Sequence, residues 1–548
     1  MLKPIGRPTL PWPWALLLLS GFIGAFGVLS VHLGQNADFD LRNYHLYNAF
    51  QFLHDRFYLD LNAAGYQSFF NPLLDVPYYT LATVALPNAP RLVAFIMGGY
   101  DAAMALAVVL IAQRVTFTGK NSAPFGAVVA AIYIGLSGTN FISQVGTTFN
   151  DVPAGTLILY GLVLLLCLVS QDDLRAARFA LGAAFGGALF GMAAGLKLTT
   201  IIYAPAAVIA LFLSGQSFRR SGLTTLWFML GYAAAFLLVT GWWNGRIFGY
   251  TGNPIFPLFN QIFRSDWYPP TALFDDRFKP RTWAQVLAYP FYWIRPRSMV
   301  VAEEVFADPR FAVAYISVLL IALTYGANLF LYGRKRVQAW LPRSHIFILS
   351  FLTVSFAIWE ALFSIYRYAV ALEVLVGIPI LLATMRLVEA IGVTRRRNAL
   401  VVTAMFGLAI LLQRWSIYPD WGRIPYGPKV YSVDTPRLAS HSLVVVAGVD
   451  QANSYVLPFI RGDDVRFVGI THTTLEARDY RLWRETAKRI SNHVGPIFVL
   501  ERFDIPYFSF YMTSVLQELH VTVNDKECHL IETNLDQDIT LCSASVAR

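Results

Sequence analysis

Apolar runs of about 18–24 residues recur along this 548-residue chain, each long enough to cross a hydrocarbon core of roughly 30 Å. Eleven spans are read: 12–32, 91–114, 123–142, 152–171, 177–195, 199–214, 223–243, 309–332, 344–363, 368–388 and 398–415. The stretch 177–214 reads as two helices or as one long one. The first span is no removable signal peptide, because it is long and lacks a small-residue cleavage site. With 56% hydrophobic and 14% charged residues the chain lies far from an ordinary soluble domain. A mainly α-helical, polytopic membrane protein is expected.

Lysine and arginine set the orientation. A cytoplasmic amino terminus puts Lys3 and Arg7, Arg114 and Lys120, Arg175 and Arg178, and Arg219 and Arg220 on the cytoplasmic side. Arg334, Lys335, Arg336 and Arg343, then Arg395, Arg396 and Arg397, follow them there. The net charge of +9 is therefore a topology signal and implies no nucleic-acid partner. The expected location is a bacterial inner membrane, multi-pass, with the carboxyl terminus periplasmic.

Three regions then lie outside the cytoplasm: loop 33–90, loop 244–308 and everything after about residue 416. The expected division is a membrane module over 1–415 and a small periplasmic α/β domain over 416–548. In the tail, strand-like 442–446, 465–468 and 497–500 alternate with helical stretches near 479–493 and 507–521. Cys528 and Cys542 fall there, in an oxidising compartment, and are expected to pair; Cys167 lies within a span and reads as packing. Residues 40–57 separate apolar and polar faces at helical period, which predicts an amphipathic surface helix. Residues 71–79, with two prolines and Asp75, predict a surface or re-entrant helix.

The charged residues that this topology gathers at the outer membrane edge carry the functional argument. Asp38 and Asp40 follow the first span. Asn150-Asp151-Val152-Pro153 opens the fourth, Lys197 joins the fifth and sixth, and Arg367-Tyr368 links the ninth and tenth. Ionisable groups at such depth are costly and mark function. Plainer roles exist for each: a helix cap for Asp151, snorkelling anchors for Lys197 and Arg367, solvated loop acids for Asp38 and Asp40. Asp101 and Glu373 read as buried polar packing. Three acids and two bases at one face are harder to explain singly.

These residues resemble the GT-C superfamily of membrane glycosyltransferases, with protein O-mannosyltransferases and lipid A aminoarabinose transferases the nearest likeness. The resemblance rests on Asp38-Phe39-Asp40 after the first span, Asp151-Val152-Pro153 opening the fourth, Gly195-Leu196-Lys197 and Arg367-Tyr368. It also takes in Asn71-Pro72-Leu73-Leu74 followed by Arg91. It covers roughly residues 10–390. Three departures stand out: Asp-Phe-Asp replaces an Asp-Glu pair, Asn71 stands where a proline is usual, and the lysine motif is compressed. The resemblance implies a GT-C-like bundle of about 11 helices with periplasmic amphipathic helices. It further implies transfer of a hexose or pentose from a polyprenyl-phosphate donor to a glycan, lipid or protein.

The chemistry fits the residues as well. A phosphate leaving group needs no proton but needs positive charge, which Lys197 and Arg367 supply. The acceptor hydroxyl must lose a proton to a carboxylate, for which Asp38 and Asp40 are the candidates, with Asp151 assisting. Asn43, Tyr44, His45, Asn150 and Tyr368 are candidate substrate contacts. The sequence demands no cofactor; Asp38 and Asp40 would be the ligands of any Mg²⁺ or Mn²⁺. Rival readings are a transporter or flippase of lipid-linked sugars, whose charges would line the midplane, and a non-catalytic subunit that binds through its tail.

Overall fold

The computed structural model describes residues 11–116, 122–171, 174–273, 275–332, 341–392, 396–448, 452–502, 506–535 and 539–547. The basic residues Lys3, Arg7, Lys120, Arg334, Lys335, Arg336 and Arg395 lie outside them. Among the described residues seven helices are long and apolar enough to cross a membrane: Trp12–Leu33, Pro90–Thr116, Asp151–Ser170, Ala176–Leu196, Phe218–Thr251, Arg310–Leu331 and Arg343–Leu362. An eighth is counted if the pair Tyr366–Glu373 and Gly377–Ala390, bent by 48°, forms one span.

The expected count of eleven is thus not reproduced, and the reasons are local. Span 123–142 breaks into Phe125–Leu136 and Thr139–Ser143, because the Glu373 carboxylate caps the second piece through the backbone N–H groups of Asn140 (3.1 Å) and Phe141 (2.7 Å). Span 199–214 is realised as 16 apolar residues, Leu198–Leu213. Span 398–415 becomes Arg397–Arg414, with an arginine at each end. The 177–214 stretch is two helices, broken where Lys197 turns extended at φ −142°, ψ 106°.

Small residues let these helices approach closely. A Cβ on Gly187 or Gly191 would run into the carbonyls of Phe228 and Tyr232, so helices Ala176–Leu196 and Phe218–Phe236 pack backbone to backbone. That contact fixes the end of the helix that carries Lys197. Gly377 meets the Ala131 carbonyl in the same way and fixes the bent pair that carries Arg367.

The tail forms a five-stranded sheet ordered Arg466–Ile470, Leu443–Ala447, Ile497–Arg502, Ile539–Val546, Val521–Ile531. The first three strands are parallel and the last two antiparallel. Cys528 and Cys542 sit opposite each other on the antiparallel pair and are disulfide-bonded across a 14-residue separation. Cys167 is buried in its helix.

Loop 33–90 does not lie open on a surface. Its polar residues Asn43, His45, Asn48 and Gln51 are buried along with the apolar Leu41, Tyr44 and Tyr47. The reason is that the tail covers the loop: Tyr44 and Tyr47 share one apolar cluster with Val444, Tyr455 and Phe467. Asp60 ties the two together, accepting from Tyr47 Oη (2.8 Å), Arg56 Nε (2.8 Å) and the Phe467 backbone N–H (2.9 Å). Leu61 pairs with Val468 and so covers the otherwise free edge of the sheet. Gln35–Asn36 also pairs antiparallel with Arg423–Ile424, which brings the chain after the last helix back to the start of the loop.

Candidate active site

Four charged residues from four distant segments meet at one end of the helix bundle. Asp40 opens a helical turn after Trp12–Leu33. Asp151 opens Asp151–Ser170, Lys197 follows Ala176–Leu196, and Arg367 lies in the turn Tyr366–Ala369. Arg367 Nη1 donates to Asp40 Oδ2 at 2.8 Å and lies 3.9 Å from Asp151 Oδ2. Lys197 Nζ binds Asp151 Oδ1 at 2.8 Å and the carbonyl of Phe149. Two acids and two bases thus form a chain Asp40–Arg367–Asp151–Lys197 with no net charge. The side chains of Asp40, Arg367 and Lys197 each keep 15% of their surface open, so the cluster is shielded and reachable.

Aromatic rings frame the cations. The Arg367 guanidinium sits 4.1 Å from the Phe149 ring centroid and 5.7 Å from that of Trp421. Lys197 Nζ lies 5.6 Å from the Tyr368 ring. Such faces hold a cation while leaving its in-plane N–H groups free for an anion.

The turn 143–150 that carries Phe149 and leads to Asp151 is pinned from several sides. Asp101, inside its helix, accepts from the Gly146 N–H at 3.1 Å. Gly146 has φ +71°, and a Cβ there would collide with Ser30 Oγ, so only glycine suits the position. Arg423 donates to the Val145 carbonyl at 2.5 Å. Asn150 is itself left-handed at φ 66°, a conformation that asparagine tolerates.

The two aspartates of the Asp-Phe-Asp motif part company. Asp38 is buried and caps the turn through the Leu41 N–H (2.8 Å), with Thr148 Oγ1 at 3.4 Å from its other oxygen. Burial, and then the charge of Asp40, raise its carboxyl above the ordinary carboxylate range. Asp40 is buried enough that desolvation pushes the same way. There Arg367, followed by His45 and Lys197, outweighs it and holds the carboxyl below that range. Tyr44 Oη donates to Asp40 at 3.3 Å. The two carboxylates thus serve different partners. Among the described residues no three His, Cys, Asp or Glu side chains converge as a metal set.

Sequence reasoning missed Asp75 as a site residue. Its Oδ1 takes His45 Nδ1 at 2.7 Å and Asn150 Nδ2 at 2.6 Å, so one carboxylate joins the Asp40 helix to the Asp151 helix. His45 Nε2 is buried without a hydrogen-bond partner. Asn71, four residues earlier, donates to the carbonyls of Gly195 (3.1 Å) and Val239 (3.2 Å), two residues short of Lys197. The asparagine that departs from the usual proline therefore holds the third wall of the site. The only signal was an acid between two prolines. Asn43 is buried, and Arg91 lies over the Tyr426 ring at 5.3 Å.

No protein-family profile and no curated protein sequence matches the chain. Among solved structures it is similar to ArnT from Cupriavidus metallidurans bound to undecaprenyl phosphate, with 14% identity over 97% of this chain and 98% of that one, at a TM-score of 0.49. The apo form of the same protein gives 15% identity over 98% of each chain at 0.48. At these values what the site can do follows from its own residues.

Proposed function

We propose that the protein is a membrane glycosyltransferase that moves a hexose or pentose from a polyprenyl-phosphate donor to a glycan, lipid or protein. The reaction takes place at the extracytoplasmic face of a bacterial inner membrane, with the tail periplasmic. The observation that carries the reading is the Asp40–Arg367–Asp151–Lys197 chain at the helix ends. It sets phosphate-binding cations beside a carboxylate within reach of a lipid-anchored substrate.

The neutral cluster explains how the two halves would act together. An arriving donor phosphate competes with the carboxylates for Arg367 and Lys197, and arginine can grip two of its oxygens. Asp40 then loses its ion-pair partner in a shielded site and becomes a stronger base. The acceptor oxygen bonds to the anomeric carbon as the bond from that carbon to the phosphate oxygen breaks. The hydroxyl proton passes to Asp40, and the departing polyprenyl phosphate keeps the electron pair, held by Arg367 and Lys197. Asp151 holds Lys197 in place, and Asp38 shapes the turn. No step is routed through a metal. ArnT, similar in fold course, was crystallised with undecaprenyl phosphate, and a lipid phosphate of that class is the donor carrier proposed here.

The test is transfer of a labelled sugar from a polyprenyl-phosphate donor by purified protein in lipid nanodiscs. Asp40→Asn should abolish transfer while the protein stays folded; full transfer by both Asp38→Asn and Asp40→Asn would overturn the assignment.

A further inference from the structure

A groove of about 500 Å³ lies where the tail meets loop 33–90, and none of its lining residues belongs to the charged chain described above. Its size falls within the range of small-ligand sites. It is assembled from segments far apart in sequence and it is braced. Arg489 donates to the carbonyls of Leu59 (2.7 Å) and Tyr58 (3.1 Å) and to Tyr250 Oη (3.1 Å), joining a tail helix to both long loops.

One wall is held in uncommon backbone geometry. His441 and Asp464 both have positive φ, 57° and 52°, and their side chains pair at 2.6 Å between Nδ1 and Oδ2. Gly495, next to the lining residue Val494, packs against this wall: a Cβ there would strike the His441 carbonyl and lie 3.0 Å from His493 Nε2. Two non-glycine residues held left-handed at one cavity are the kind of strain that a fold keeps where something binds.

The chemistry of the lining narrows the ligand. Asp464 and Glu485 accept hydrogen bonds, while Arg466, Lys488 and Asn492 donate them. Asp464 already pairs with His441 and Arg466, and Arg489 is held by its own three contacts. That leaves Glu485 as acceptor beside Lys488 and Asn492 as donors, a mixed set that a bare ion of either sign does not match. A hydroxyl both donates and accepts, so a polyol satisfies both sets at once. Tyr58 is 51% and Leu59 41% exposed at the rim, offering apolar surface to the C–H face of a ring. We propose that this groove binds a saccharide, one or two rings in size, and that the tail thereby holds the sugar acceptor of the transfer reaction. The acceptor role rests on the glycosyltransferase reading; the binding does not.

The experiment measures binding without transfer. Full-length protein in a sugar-free detergent is titrated with methyl mannoside, methyl glucosaminide and a disaccharide by saturation-transfer NMR, with inorganic phosphate as a competitor. The same sugars carried on a short lipid chain form a second arm. Saturable transfer to ring protons is expected for at least one sugar in both arms, unchanged in Asp40→Asn and unaffected by phosphate. Tyr58→Ala and Glu485→Ala should weaken it roughly three- to tenfold. Lys488→Ala, an exposed helix position, should weaken it without disturbing the fold and covers the case in which Tyr58→Ala unfolds. No saturable signal, an equal signal in all three variants, displacement by phosphate, or binding by the lipid-borne arm alone would each overturn the proposal. Absence of transfer by the wild-type protein with binding intact would count against the glycosyltransferase reading and leave the groove standing.

Discussion

Tyr366 and Arg367 are neighbours in sequence, yet each belongs to a different charge cluster. Tyr366 Oη donates to Glu373 Oε1 (2.5 Å) and to Asp308 Oδ2 (3.2 Å), and Asp308 Oδ1 pairs with Arg310 Nη1 at 3.1 Å. Arg310 goes on to bind the Ile134 carbonyl, Ser137 Oγ, Ser416 Oγ and Gln413 Oε1. Tyr366, Glu373, Asp308 and Arg310 are all fully buried. Arg367, one residue on, meets Asp40 with 15% of each side chain open. Both clusters pair acids with an arginine at helix ends. The sealed one has its hydrogen bonds filled from within, as a buried charge must. The open one leaves His45 Nε2 and Asp151 Oδ2 without hydrogen-bond partners, capacity that a ligand can take up.

The difference predicts opposite phenotypes. Asp40→Asn in the open cluster should cut sugar transfer by about 10²–10⁴-fold, the contribution of a positioned base, with little change in thermal stability. Arg310→Met in the sealed cluster leaves Asp308 buried and unpaired, and should cost about 3–5 kcal/mol of stability. Detergent melting curves and membrane yield would register that loss, with specific activity of the surviving protein near normal. A swap of these outcomes would break the distinction between the clusters.

Asp75 tests the boundary between the two kinds. It is buried like the sealed group but clamps His45 and Asn150 on either side of the open one. Asp75→Asn should lower kcat by about 10- to 100-fold through misplacement of Asp40 relative to Asp151, with KM for the donor little changed. Asp75→Glu should not restore it, because the longer side chain shifts both contacts. A stability loss with kcat intact would move Asp75 into the structural class.

How far these clusters could be read in advance depended on sequence distance and on competition. Asp40, Asp151, Lys197 and Arg367 were legible because hydropathy marks helix ends, and an ionisable group at a helix end in lipid is rare. The parallel strands 442–446, 465–468 and 497–500 were legible as apolar runs. The strands Val521–Ile531 and Ile539–Val546 were not, because one is mostly exposed and carries Asn524, Asp525, Lys526 and Glu527. The sealed cluster escaped notice because Asp308-Pro309-Arg310 reads as a loop end, and its partners lie over 50 residues away. Glu373 was seen but not placed: its role as the cap that breaks 123–142 depends on tertiary packing that no period reveals. The burial of the Asn43 face is of the same kind, since it needs the tail, some 400 residues on, to cover it.

The smallest effect separates the two aspartates of the motif. For kcat/KM the acid limb reports the base in the free enzyme. Arg367 holds the Asp40 carboxyl below the ordinary aspartate value of about 3.9, so its basic form persists as pH falls through that value and is lost only beneath it. The attraction between Asp40 and Arg367 has the same sign for stability: it is present above the unfolded pKa and fades as pH falls through the folded one. Asp38 runs the other way, since burial raises it, and its basic form disappears at a pH above 3.9. With Asp40 as base, kcat/KM should change by less than about twofold between pH 8 and pH 5. With Asp38 as base the decline would begin at a higher pH than with Asp40, because burial raises the one and Arg367 lowers the other. Arg367→Lys keeps the charge but loses the fork, so it should move the Asp40 limb upward while lowering donor affinity. A wild-type decline inside the window that Arg367→Lys leaves in place would assign the proton to Asp38.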